Sequence, residues 1–195
     1  MAYCTVQEVL QRMGHASATD ANLTARVTDA IAAATTLIDS DTGRVFSAST
    51  STRAFGADGY THELFLPDFT AVSALKLDDD DDGTYEVTIA STGYELDVTN
   101  PRVGWPYNTI RLLDRRYPSG GRRRRRIEVT GTWGWASVPD PINQACSLMA
   151  ARIAERTSAA VFGVQSFGDL GAATIRNNDP DYRNLIGPYR VPGVW

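Results

Sequence analysis

Histidine is almost missing from this chain: His15 and His62 are the only two in 195 residues, and Cys4 and Cys146 are the only cysteines. So few imidazoles and thiols leave little for nucleophilic, general-base or metal chemistry. The cysteines are too few and too far apart in sequence for a disulfide framework or a zinc site, and both are expected as free thiols. Lysine occurs once, as Lys76, beside 18 arginines. No apolar run approaches the ~18–20 residues that cross a bilayer, so no membrane contact is expected. The N-terminus has neither a basic nor an apolar signal region, and the chain is expected to stay where it is made. HExxH, G-x-S-x-G, a P-loop and a Gly-rich dinucleotide fingerprint are all missing, and Gly131-Thr132-Trp133-Gly134-Trp135 has the wrong spacing to cradle phosphate. No catalytic residue, cofactor or metal is expected.

What is present suits one globular domain with an insertion: 43% hydrophobic and 22% charged residues. Thr5-Val6-Gln7-Glu8 is a capping box opening a short helix that stops at Gly14. After Asp20, the residues Leu23, Val27, Ala30, Ile31, Ala34, Leu37 and Ile38 recur at helical steps, predicting a long amphipathic helix that ends near Gly43. From about 44 to 131 the period becomes two, in Leu64/Leu66, Leu75/Leu77, Tyr85/Val87/Ile89, Tyr94/Leu96/Val98, Ile110/Leu112 and Ile127/Val129, which predicts six or seven antiparallel strands. Trp133 and Trp135 are expected to clamp this region to the following helix. That helix starts at Asp140-Pro141, with Ile142, Ala145, Cys146, Met149 and Ile153 as its buried stripe.

Beyond Ser158 the chain turns Gly-rich, and a short helix after Asp179 carries few core-forming positions. The predicted class is α+β: a helical core from 1–44 and 136–160, an inserted antiparallel β-region from 45–135, and an extended C-terminal arm from 161–195. Phe167, Tyr182, Leu185, Ile186 and Tyr189 have no evident intramolecular core, so the arm is expected to meet a partner.

Charge is unevenly placed. Arg111 to Arg126 holds eight arginines against Asp114, a local +7 in a chain of net −4, so the remainder carries −11. Arg122, Arg123, Arg124, Arg125 and Arg126 follow the tip Pro118-Ser119-Gly120-Gly121 and are read as the second strand of a projecting hairpin whose first strand bears Arg111, Arg115 and Arg116. A solvated finger, a contact with nucleic-acid phosphate and a contact with an acidic protein surface all fit. Asp78 to Asp82 followed by Gly83 begins like a calcium loop, but the twelfth position falls on Ile89. A solvated turn, a weak cation site and a docking surface for arginines remain open, with Asp78, Asp80 and Asp82 as the candidate residues.

The order of several stretches resembles the head-to-tail adaptor (connector) proteins of tailed bacteriophages. These are Thr5-Val6-Gln7-Glu8-Val9-Leu10, the helix exit Ile38-Asp39-Ser40-Asp41-Thr42-Gly43-Arg44-Val45-Phe46, Leu66-Pro67-Asp68, Asp82-Gly83-Thr84-Tyr85-Glu86, Gly131 to Pro139, and Asp179-Pro180-Asp181 before Leu185 and Pro188-Tyr189-Arg190. The resemblance implies a virion protein of the neck between capsid and tail, assembled in the host cytoplasm. It implies a homo-oligomer, usually a dodecameric ring, between the portal protein and a tail-side stopper or tail-completion protein, with DNA passing through the lumen and no catalysis. The five-arginine run departs from what the resemblance implies. The rival reading is a monomeric nucleic-acid-binding module that uses the arginine hairpin.

Overall fold

A computed structural model describes residues 2–15, 20–57, 61–98, 102–119, 125–159, 164–166, 172–174 and 180–191. Among the described residues no helix is long and apolar enough to cross a membrane. The fold is α+β and divides into two compact units, one of residues 1–44 and 138–195 and the other of residues 45–137.

The first unit is helical. α1 (Val6–Arg12) opens on the capping box, with the Thr5 N–H donating to Glu8 Oε2 at 2.6 Å and the Glu8 N–H to Thr5 Oγ1 at 3.3 Å. It closes at Met13, followed by Gly14 at φ 81°. α2 (Ala21–Thr42) is N-capped by Asp20, whose Oδ1 accepts the Asn22 N–H at 2.8 Å, and is stopped by Gly43 at φ 68°, a left-handed conformation that glycine adopts without a Cβ penalty. α3 (Asp140–Ala159) packs against α2 and α1. Its buried line is Ile142, Ala145, Cys146, Ala150 and Ala154, whereas Met149 and Ile153 are only partly covered. The expected stripe therefore turns toward the alanines, because Ala30 and Ala34 of α2 are also buried and small side chains let two helix backbones approach closely. A two-stranded hairpin, β7 (Val164–Ser166) with β8 (Ala172–Thr174), follows α3 in the chain.

α4 (Pro180–Ile186) and a 3-10 turn (Gly187–Tyr189) complete this unit. α4 packs on α3 and α2; Tyr182 is 6% exposed and Ile186 is fully buried. The Tyr182 hydroxyl donates to Asp41 Oδ2 at 2.9 Å, Arg44 Nε donates to the Tyr189 carbonyl at 2.8 Å, and the Val191 N–H donates to the Thr42 carbonyl at 2.9 Å. The expectation of an arm without its own core is thus corrected for residues 180–191. Two apolar side chains one helical turn apart suffice when the end of α2 supplies their polar partners. Phe167 lies outside the described residues.

The second unit is a six-stranded antiparallel sheet in the order β1-β6-β2-β5-β4, with β3 also on β2. Its strands are β1 (Ser49–Phe55), β2 (Glu63–Leu77), β3 (Val87–Ile89), β4 (Tyr94–Asp97), β5 (Tyr107–Leu112) and β6 (Ile127–Trp133). β2 joins Leu64/Leu66 and Leu75/Leu77 into one strand of 15 residues. Its inward parity changes from Leu64 and Leu66 to Phe69, Leu75 and Leu77, and the register shifts between Phe65 and Phe69 and again before Ala71 and Ala74. Such bulges insert a residue and re-aim the side chains that follow, so one strand pairs β5 along its first part and β6 along its second. Strict alternation along β6 buries Ile127, Val129, Gly131 and Trp133. A Cβ at Gly131 would collide with the Ala71 carbonyl.

Trp133 and Trp135 make their described ring contacts within the β-unit. Trp133 packs on Phe55 and Phe69, takes the Arg53 guanidinium over its ring at 4.5 Å, and donates Nε1–H to the Ser51 carbonyl at 2.8 Å. Trp135 lies against Phe46 and Trp105 and donates to Asp68 Oδ2 at 2.8 Å.

Candidate functional site: the acidic turn and the arginine segment

β5 and β6 do not form a hairpin, because β2 lies between them. The connection between them is instead a crossover, and Tyr117 anchors its described first part. That residue is fully buried, with its N–H on the Thr61 carbonyl at 2.8 Å and its hydroxyl on the Ile110 carbonyl at 3.2 Å. The hairpin expectation failed because alternation reports faces, not partners, and a single apolar ring in a polar run was enough to tie the loop down.

Where β2 ends, Asp78 is 0% exposed. Its Oδ1 accepts the Asp81 N–H at 2.7 Å and its Oδ2 the Gly83 N–H at 2.9 Å, while its own N–H donates to the Arg126 carbonyl at 3.0 Å. Asp81 sits at φ 66° and Gly83 at φ 95°, a tight turn in which a short carboxylate replaces ladder bonds. Asp82 Oδ1 accepts the Thr84 N–H at 2.6 Å, and Glu86 Oε1 accepts the Asp79 N–H at 2.9 Å.

Arg126 is 8% exposed and closes the turn from the β6 side, with Nε donating to the Asp78 carbonyl at 2.9 Å, a terminal nitrogen donating to the Asp79 carbonyl at 2.7 Å, and the Asp81 carboxylate 3.9 Å away. One terminal nitrogen of Arg115 donates to both carboxylate oxygens of Asp79, at 2.7 and 2.6 Å. Acidic turn and arginines therefore meet within one chain. Asp78 and Arg126 are removed from the candidate intersubunit or DNA-facing residues, since a side chain buried against its own backbone has no surface left to offer. Asp80 and Asp82 remain exposed, as does Arg125. Arg122, Arg123 and Arg124 lie outside the described residues.

The neighbouring basic residues also have local settings. Arg111 sits in register between Glu63 on β2 and Glu95 on β4, a three-strand row of alternating charge. Arg116 Nε donates to His62 Nε2 at 3.2 Å, which leaves Nδ1 as the protonated nitrogen facing the Leu112 carbonyl at 3.3 Å. That assigns His62 a bridging part in the structure.

Carboxylate oxygens of Asp78, Asp80, Asp82 and Glu86 lie within 4.8 Å of one another. Calcium takes 6–8 oxygens. Here both Asp78 oxygens and one oxygen each of Asp80, Asp82 and Glu86 already receive backbone N–H groups, so the peptide dipoles supply the counter-charge.

In the helical unit, sequence distance misleads in the other direction: Cys4 and Cys146, 142 positions apart, bring their sulfurs to 2.9 Å. Both are free thiols, as expected, but distance along the chain gave no sign that they adjoin in space. Tyr3 and Asn143 hold the two segments together, with Asn143 Nδ2 donating to the Tyr3 carbonyl at 3.1 Å and the Tyr3 hydroxyl donating to Asp39.

No protein-family model matches the chain, and no curated protein matches it. Among solved structures, a chain from the neck of an empty GTA particle computed with C6 symmetry aligns with TM-score 0.62 at 23% identity, over 98% of this chain and 92% of that one. A chain from the neck of a native GTA particle computed with C12 symmetry aligns with TM-score 0.54 at 26% identity, over 96% of this chain and 90% of that one. A third, from the virion of the native gene transfer agent particle, aligns with TM-score 0.52 at 25% identity over 91% of this chain and 83% of that one. Over nearly its whole length the chain is thus similar to proteins of a phage-like head-to-tail connection, as its sequence resemblance implied.

Proposed function

We propose that the chain is a structural neck protein of a phage-like particle, a head-to-tail adaptor whose copies form a ring between a portal and a tail-side protein, with DNA passing through the lumen. The observation that carries this reading is the match over 96% of the chain, at 26% identity, to a protein in a neck computed with C12 symmetry. The work of such a protein is assembly, so its functional groups are surfaces. On the β-unit the contact residues of this reading are the exposed Asp80, Asp82 and Arg125 together with Arg122–Arg124 of the same run, with contact between neighbouring copies favoured over contact with DNA. A dense cationic collar would bind packaged DNA and slow its exit. On the helical unit the portal contacts of this reading are the exposed residues of α4 with Leu185 and Tyr189, both partly exposed, and Tyr182 and Ile186 hold that segment in place from beneath; Phe167 stays a candidate from the sequence.

Mass by light scattering, for the protein alone and mixed with a portal ring, tests the proposal, with negative-stain images of the mixture. Rings on the portal support it. A monomer that ignores portal and binds DNA with a steep salt dependence would replace it by the nucleic-acid-binding reading. That rival is weakened by the crossover geometry, in which Arg115, Arg116 and Arg126 already have partners in their own chain.

A further inference from the structure

We propose that Cys4 and Cys146 are a redox pair that closes to an intramolecular disulfide when the protein meets a small-molecule disulfide such as oxidised glutathione. The sulfurs are 2.9 Å apart, less than one ångström longer than the ~2.05 Å of a disulfide bond. Both residues are buried, Cys4 at 5% and Cys146 at 0% exposure, and both are held from each side. Cys146 lies in the middle of α3. Cys4 is fixed between the Asn143 contact to the Tyr3 carbonyl and the Thr5–Glu8 capping box. The pair therefore lies within one chain and needs no partner chain to close.

The proton between the sulfurs is placed asymmetrically. The Cys4 thiol donates to Cys146 Sγ, which raises Cys4 above the ordinary thiol range, a rise that burial reinforces. Accepting that bond lowers Cys146. Thr35 Oγ1 also faces Cys146 Sγ at 3.8 Å. Cys4, the more accessible of the two, meets the reagent first. Its proton passes along the hydrogen bond to Cys146 as its sulfur attacks one sulfur of the glutathione disulfide, forming a mixed disulfide and releasing one glutathione, which takes that proton from Cys146. Cys146 sulfur then attacks the Cys4 sulfur and expels the second glutathione. Two protein thiols lose two electrons and two protons, the reagent's S–S bond is reduced, and the two expelled glutathiones carry the protons away as thiols. The product ties residue 4 to residue 146 and encloses α1, α2 and the whole β-unit in one covalent loop.

Full-length protein is treated with oxidised glutathione, denatured, alkylated with iodoacetamide and weighed intact, then digested with trypsin without reductant. The expected result is a mass two hydrogens below the reduced protein with no alkyl groups, a linked peptide pair 1–12 and 127–152, and a melting temperature raised by roughly 5–15 °C and lowered again by a thiol reductant. In Cys146→Ser the same treatment should leave a stable glutathione adduct on Cys4, because the resolving sulfur is gone. Two alkyl groups on the treated wild type, a glutathione adduct that persists there, or cross-linking between chains would each overturn the proposal. The wild-type measurement decides the matter even if the serine variant folds poorly.

Discussion

Asp78 and Arg126 are joined in both directions: the Asp78 N–H donates to the Arg126 carbonyl at 3.0 Å, and the Arg126 Nε donates back to the Asp78 carbonyl at 2.9 Å. One bond extends the pairing of β2 with β6 by a residue, and the other seals the turn that begins there. Both side chains are spent on backbone groups of the turn, so these two residues serve stability.

Asp78→Ala should therefore lower stability by about 2–4 kcal/mol, because it strands two N–H groups that are otherwise satisfied by a buried carboxylate. Asp80→Ala and Asp82→Ala, at exposed positions, should each cost less than about 1 kcal/mol. Urea unfolding of the three variants measures the contrast; equal losses would show that the turn does not depend on Asp78.

The arginines should separate into two groups. Arg126→Ala should destabilise the fold by about 2–3 kcal/mol through the turn carbonyls it abandons. Changing Arg122–Arg125 to Glu with Arg126 kept should leave the melting temperature within about 3 °C while impairing ring formation. Changing Asp80 and Asp82 to Arg in that chain should restore rings. Rings that persist in the Glu variant, with only DNA retention reduced, would place the run in the lumen instead.

Removing residues 180–195 should unfold or strongly destabilise the helical unit, since it strips Tyr182 and Ile186 from α2 and α3. Ile186→Ala alone should cost about 2–4 kcal/mol and Tyr182→Phe about 1 kcal/mol. Calorimetry of the truncated protein is the check; a melting temperature unchanged by truncation would return this segment to the status of a free arm.

Gly134 is at φ 89°, and a Cβ there would run into the Ser47 carbonyl. Gly134→Ala should lower stability by about 2–3 kcal/mol through backbone strain and displacement of the Trp135 ring from Phe46. Near-UV circular dichroism should show the aromatic signal weakened before the far-UV signal changes.

Stability should fall at both ends of the pH scale for identifiable reasons. The Thr5 N–H and hydroxyl hold the Glu8 carboxyl below its ordinary 4.5, so its contribution is complete above that value and is lost as pH falls through the folded one. The stability gap between wild type and Glu8→Ala should accordingly shrink below about pH 4. Burial lifts the Tyr117 and Tyr182 hydroxyls far above 10.0, and for Tyr182 the bond to Asp41 adds to it. The stability they carry is full below that pH and lost as pH rises beyond it toward the folded values. Tyrosinate absorbance should lag behind that of the unfolded chain, and less so in Tyr182→Phe.

Local signals sufficed where one stretch of chain decides its own conformation. The Thr5–Glu8 box, the Gly43 stop and the Ile127/Val129 alternation each follow from bonds or faces available within a few residues, and all stand in the structure. The α+β class was legible for the same reason, because a change of period from about 3.6 to 2 reflects backbone geometry alone. Tertiary structure decided which distant groups share a space. It placed β2 between β5 and β6, folded Arg126 into the Asp78 turn, buried Tyr182 and Ile186 against α2 and α3, and set Cys4 beside Cys146. Periodicity tells which side of an element is dry but carries no label for the element that covers it. Charge runs likewise advertise attraction without saying whether the opposite charge lies on another molecule or, as for Asp79 and Arg115, 36 residues along the same chain.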